Sequence, residues 1–71
     1  MNLTLNKDVM QGKWKQMRGK VKKQWGKLTD DQLDKISGTY DELAGLIQVN
    51  YGYSIEKVKK ELDVFLQHIN P

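Results

Sequence analysis

Cysteine is absent from this 71-residue chain, and histidine and proline occur once each, as His68 and Pro71. Without cysteine there is no disulfide framework and no thiolate metal site. One histidine and no cysteine leave few combinations for a nucleophilic catalytic set, and none stands out. A lone imidazole is also a poor basis for a metal site, so His68 reads as a surface or core-edge residue. No apolar run approaches the roughly 20 residues that a membrane-spanning helix needs. The opening residues, Met1 to Asp8, lack the apolar h-region of a signal peptide. Gly12, Gly19 and Gly26 recur seven residues apart but follow no strand, so they make neither a phosphate loop nor a dinucleotide fingerprint. The reading is of a cytoplasmic protein that is not an enzyme, with no cofactor and no metal.

What is present fits one small domain spanning 1–71, with residues 1–5 as a flexible or loosely packed N-terminus. With 38% apolar residues the chain fills one modest core, which leaves no room for a deep walled pocket. The net charge of +3 hides an asymmetry. Residues 1–28 hold seven lysines and one arginine against a single aspartate, a net of +7. Residues 29–71 hold four lysines against eight acids, a net of −4. Such a division serves internal complementarity and solubility, or it presents a basic surface to nucleic acid or anionic lipid.

The periodicity is helical throughout, and it predicts an all-α domain of about four helices. Met10, Trp14, Met17, Val21, Trp25 and Leu28 recur at steps of three and four, which predicts one long helix over Lys7–Leu28. Asn6 or Asp8 can cap its start. The three glycines fall on the side away from the stripe. They open room for a partner backbone or phosphate, or they make the helix easy to bend, and Gly26 can also mark its end. Thr29-Asp30-Asp31-Gln32 and Thr39-Tyr40-Asp41-Glu42 are capping boxes, each opening a shorter helix. Leu28 and Leu33 are placed as a hydrophobic staple, and so are Tyr53 and Val58. Gly38 is expected as a left-handed stop after the second helix, and Gly52 as the stop of the third. Ser54 caps the last helix, whose stripe is Ile55, Val58, Leu62, Phe65, Leu66 and Ile69. Asp30, Asp31 and Asp34 lack the alternating ligands, central glycine and terminal glutamate of a calcium loop, so they read as helix-start residues.

The spacing of these pieces resembles the CsbD-like family of small bacterial proteins. The carriers are Asn6-Lys-Asp, Gly12-Lys-Trp14-Lys-Gln-Met-Arg-Gly19-Lys-Val-Lys and Gln24-Trp25-Gly26-Lys-Leu28-Thr29-Asp30-Asp31. Ile36-Ser-Gly38, Asp41-Glu-Leu43-Ala-Gly45-Leu-Ile47-Gln48 and Tyr51-Gly52-Tyr53 complete the match, over residues 6–62. The resemblance implies a stress-associated bacterial cytoplasmic protein, SAM-domain-like packing of helical hairpins, and no catalytic residues to carry over. The chain departs from the family pattern at Leu46 and in the apolar character of its last helix. Phe65, Leu66 and Ile69 there suggest a self-association face on a monomer or weak homo-oligomer.

Function is therefore expected to be binding, with nucleic acid or another protein as partner. The candidate contacts for nucleic acid or another anion are Lys13, Lys15, Arg18, Lys20, Lys22, Lys23 and Lys27, without sequence preference. Trp14 and Trp25 read as core residues, with base stacking as the alternative. Peripheral attachment to anionic membrane is the other alternative, and it requires the tryptophan stripe to leave the core.

Overall fold

The computed structural model describes residues 7–68, with side chains from residue 10 onward. Five helical segments follow one another: α1 Lys7–Gly12, α2 Trp14–Gln24, α3 Asp30–Lys35, α4 Tyr40–Tyr51 and α5 Ile55–His68. No strand occurs among the described residues, so the class is all-α as expected. The expectations for residues 1–5, for Asn6 as a cap and for Ile69 fall outside the described residues, and so does the side chain of Asp8.

The long first helix is divided. At Lys13 the backbone leaves the helical region, with φ −114° and ψ 24°. The Lys13 N–H reaches back only three residues, to the Met10 carbonyl at 3.2 Å. Gly12 precedes this break and makes it easy, because glycine contributes little helix propensity. Gly19 leaves α2 unbroken. The apolar register survives the break, since Met10 and Trp14 are both buried. The second difference is at the other end, where α2 stops at Gln24 rather than Leu28. Trp25 departs from helical angles while its N–H still bonds the Val21 carbonyl at 2.8 Å. Gly26 follows as the chain turns, and Leu28 returns to the core fully buried.

Both capping boxes form in both directions. Thr29 Oγ1 accepts from the Gln32 N–H at 3.1 Å, and Gln32 Oε1 accepts from the Thr29 N–H at 3.1 Å. Thr39 and Glu42 do the same. Glu42 also accepts from the hydroxyl and the N–H of Ser37, at 2.8 and 3.1 Å. These donors hold its exposed carboxyl below the usual carboxylate range, the Ser37 hydroxyl contributing most and the Thr39 donors next. Gly52 ends α4 in the left-handed region, its N–H on the Gln48 carbonyl at 2.8 Å. Ser54 Oγ accepts from the Lys57 N–H at 3.3 Å and caps α5.

Gly38 does not stop α3 directly. The helix ends at Lys35, Ile36 is extended, and Gly38 lies in the linker with φ +91°. There it is buried against Trp14. A β-carbon built on it would stand 2.5 to 2.7 Å from Trp14 Cγ, Cβ and Cδ2.

Helices α4 and α5 form an antiparallel hairpin, with α1 packed against α4. The stripe of α1, α2 and the following loop meets Leu33, Leu43, Ile47, Val58 and Leu62 in one core. Ile55 departs from the expected stripe and lies at the surface. The residues suggested for self-association are placed in part. Leu66 is buried in the core, and Phe65 is half-buried with its ring 4.9 Å from that of Trp25, edge to face.

Tyr40 fastens the hairpin. Its hydroxyl donates to Asp63 Oδ1 at 2.8 Å and lies 3.3 Å from the Lys59 carbonyl. Burial, then the Asp63 carboxylate, pushes its pKa from 10.0 up to about 12. The unfolded chain releases this proton first as pH rises. Its contribution to stability is therefore complete below pH 10 and lost as pH climbs towards 12. Chemical denaturation of Tyr40→Phe against the wild type should show a gap of about 1 kcal/mol at neutral pH, the worth of one hydrogen bond. The gap should narrow across that alkaline window, and a constant gap would contradict the assignment.

Candidate functional site

Seven basic side chains are candidates from sequence, and the fold sorts them into two groups. Three make internal contacts. Arg18 pairs with Asp34, both side chains about half exposed. Such a pair adds little stability, about 0–1 kcal/mol, but it offsets the guanidinium charge. Lys22 Nζ donates to the Leu28 carbonyl at 2.7 Å and closes the loop after α2. Lys27 Nζ sits 4.9 Å from the Tyr51 ring centroid, and its backbone N–H donates to the Tyr51 hydroxyl at 3.2 Å.

The other four, Lys13, Lys15, Lys20 and Lys23, are exposed. None of their ammoniums has an ion-pair or hydrogen-bond partner among the described residues. At about 100° per residue, Lys15, Lys20 and Lys23 fan over the side of α2 turned away from Trp14, Met17 and Val21. Gly19 lies among them, with nothing within 4 Å of the position a β-carbon would take. Gly12 and Gly26 are equally open. No packing among the described residues requires glycine at these sites, although Gly19 in a helix interior costs about 0.8–1 kcal/mol relative to alanine. An approaching backbone or phosphate meets no side chain there.

Trp14 and Trp25 are not on this surface. Both are buried, and each indole N–H is satisfied inside: Trp14 on the Leu33 carbonyl at 3.1 Å, Trp25 on Glu61 Oε1 at 3.1 Å. Neither presents a face to a base or a lipid while the fold is intact.

The fold adds residues that charge counting misses. Lys57 and Lys60 belong to the net-acidic part of the chain, yet they line a groove of about 780 Å³ together with Gln24, the last residue of α2. Val64 and Phe65 form its apolar floor. Two half-buried tyrosines edge the core beside it. Tyr51 and Tyr53 stack with centroids 5.2 Å apart and planes inclined by 29°. Lys57 Nζ lies 3.9 Å from the Tyr53 centroid. The signal in the sequence was Tyr51-Gly52-Tyr53, where a left-handed glycine turns the chain and brings the rings together.

The acids are distributed as helix-start and pairing residues. Asp30 and Asp31 occupy the first turn of α3, and Asp31 lies 4.0 Å from Lys35. His68 is exposed on the last turn of α5, its Nδ1 2.8 Å from the Val64 carbonyl. Among the described residues no three His, Cys, Asp or Glu side chains gather closely enough to hold a metal. No helix among them is long and apolar enough to cross a membrane.

A family profile described as CsbD-like matches residues 8–60. The chain belongs to the CsbD-like family. It is similar to the UPF0337 protein YjbJ of Escherichia coli O6:H1, with 54% identity over 59 residues, 83% of this chain and 86% of that one. A UPF0337 protein of Pectobacterium atrosepticum is 52% identical over 64 residues, 90% of this chain and 93% of the relative. One from Bordetella pertussis is 46% identical over 67 residues, 94% of this chain and the whole relative. The family match runs from α1 into the first half of α5, so both the basic face of α2 and the tyrosine pair fall inside it.

Proposed function

We propose that this CsbD-like protein is a non-enzymatic, stress-associated binding protein of the bacterial cytoplasm. Its partner is nucleic acid, held through phosphate contacts without sequence preference. The observation that carries the reading is the outward face of α2, where Lys15, Lys20 and Lys23 stand exposed and without partners among the described residues, around a glycine whose β-position is open. The nine residues of helix from Lys15 to Lys23 extend about 12 Å, enough to meet several phosphates. Arg18, the one arginine of the chain, is held by Asp34, which leaves the guanidinium contact to guanine unavailable on this face.

The test is fluorescence anisotropy with labelled DNA and RNA at low and moderate salt. Three phosphate contacts predict a loss of about 20- to 40-fold in affinity between 50 and 200 mM salt. The triple variant Lys15→Glu, Lys20→Glu, Lys23→Glu should show no measurable binding at 50 mM salt while keeping its helical circular dichroism. Flotation with anionic vesicles is the companion measurement. Binding to vesicles but not to nucleic acid would assign the face to membrane surface and overturn this reading.

A further inference from the structure

We propose that Tyr53 is a stacking site for one base of a single-stranded nucleic acid, covered in the free protein by the ammonium of Lys57. This rests on the reading of α2 as a phosphate-binding face and names the strand form that the surface prefers.

Tyr51 is held in place. Its hydroxyl accepts the Lys27 N–H at 3.2 Å, and the Lys27 ammonium lies near its ring. Tyr53 leans on Tyr51 at 5.2 Å between centroids. Tyr53 is half-buried at the edge of the core, and the Lys57 ammonium, 3.9 Å from its centroid, covers the part of the ring that Tyr51 and the core leave open. Lys57 is itself exposed, and only its backbone is fixed, by the Ser54 cap. Its ammonium is the free end of a flexible chain and can swing away.

The exchange favours the base. An exposed cation–π contact is worth about two- to fivefold in an equilibrium. A base stacked on an aromatic ring is worth about five- to 100-fold. The displaced Lys57 is not wasted, because its ammonium is then placed to meet the phosphate of the nucleotide that displaced it. Position supports the same conclusion. Lys27 follows directly on the loop that ends α2, and Lys57 shares a groove with Gln24 at the end of α2. Lys27, which meets Tyr51 through both its N–H and its ammonium, links the end of this helix to the tyrosine pair. In a duplex the bases are already stacked within the helix, so the site serves single strands.

The experiment uses the full chain with labelled oligothymidylate of about 15 nucleotides and a duplex of equal length, at about 50 mM salt. Tyr53→Leu should weaken oligothymidylate binding by about fivefold or more and leave duplex binding within about twofold. Tyr53→Phe, which keeps the ring, should restore it. In the unsubstituted protein the Tyr53 ring protons should shift upfield in NMR spectra as oligothymidylate is added, a readout that needs no variant to fold. Unchanged oligothymidylate binding in Tyr53→Leu, with the triple α2 variant silent, would overturn the stacking site and leave the phosphate face standing. Equal losses for single strand and duplex would also overturn it, and no binding of either probe by the wild type would overturn both.

Discussion

Replacing Gly38 with alanine is expected to destabilise the protein by about 3 kcal/mol, from two separate terms. The first is backbone strain. Gly38 has φ +91°, a region where an L-residue loses roughly 1–2 kcal/mol. The second is overlap. The new methyl would stand 2.5 Å from Trp14 Cγ, which is ring and not a flexible chain end. Trp14 cannot retreat easily, because it is buried and its indole is tied to the Leu33 carbonyl. Overpacking of this kind costs about 1–3 kcal/mol. Gly52 separates the two terms. It has φ +70° with nothing within 4 Å of its β-position, so Gly52→Ala should show the strain alone, about 1 kcal/mol. Urea denaturation of the two variants side by side checks the account, and equal losses would remove Trp14 from it.

Truncating Trp25 to alanine is expected to have the largest effect, about 3–5 kcal/mol. The side chain is 2% exposed and seals the junction between the end of α2 and α5. Its ring packs edge-on against Phe65, and its N–H meets Glu61. A chain of this length has about 4–10 kcal/mol of total stability, so Trp25→Ala should be largely unfolded near 37 °C. Trp25→Phe keeps most of the apolar volume and loses the indole hydrogen bond, and about 1–2 kcal/mol is expected. A thermal melt of both variants tests this, and a Trp25→Ala protein as stable as the wild type would mean that α5 does not dock where it is placed.

Much of this architecture could be read from residue spacing. The stripe from Met10 to Leu28 is buried at every position, because steps of three and four keep one face towards the core whatever the backbone does at Lys13. The two threonine capping boxes formed as their spacing dictates, since both partners lie within one turn of helix. The break at Lys13 was hidden for the converse reason: it leaves the stripe in register and changes no apolar spacing. Gly38 was legible as a left-handed residue, but its approach to Trp14 depends on how α2 and α3 meet, which no local pattern records. In the last helix the spacing marks the apolar stripe but does not separate Leu66, buried in the core, from Phe65, half-buried against Trp25, because that depends on where α5 docks.

The candidate surface was legible in part. Summed charge pointed to the first 28 residues, and Lys15, Lys20 and Lys23 are indeed exposed. Charge sums carry no geometry, so they did not separate these from Arg18, held by Asp34, or Lys22, turned onto the Leu28 carbonyl. Nor did they bring in Lys57, Lys60 and the tyrosines, which reach the end of α2 only when α5 packs back along α4.

The two indole hydrogen bonds give this protein a built-in record of its own assembly. One joins residues 19 apart in sequence, Trp14 and Leu33, while the other joins residues 36 apart, Trp25 and Glu61. Closing the longer loop costs about 0.6 kcal/mol more chain entropy. The first contact needs only α2 and α3, whereas the second waits for the whole of α4 to form and α5 to return. Trp14 therefore reports on early closure and Trp25 on final docking. In refolding experiments, single-tryptophan versions of the chain would separate the two events by fluorescence alone, with no added label.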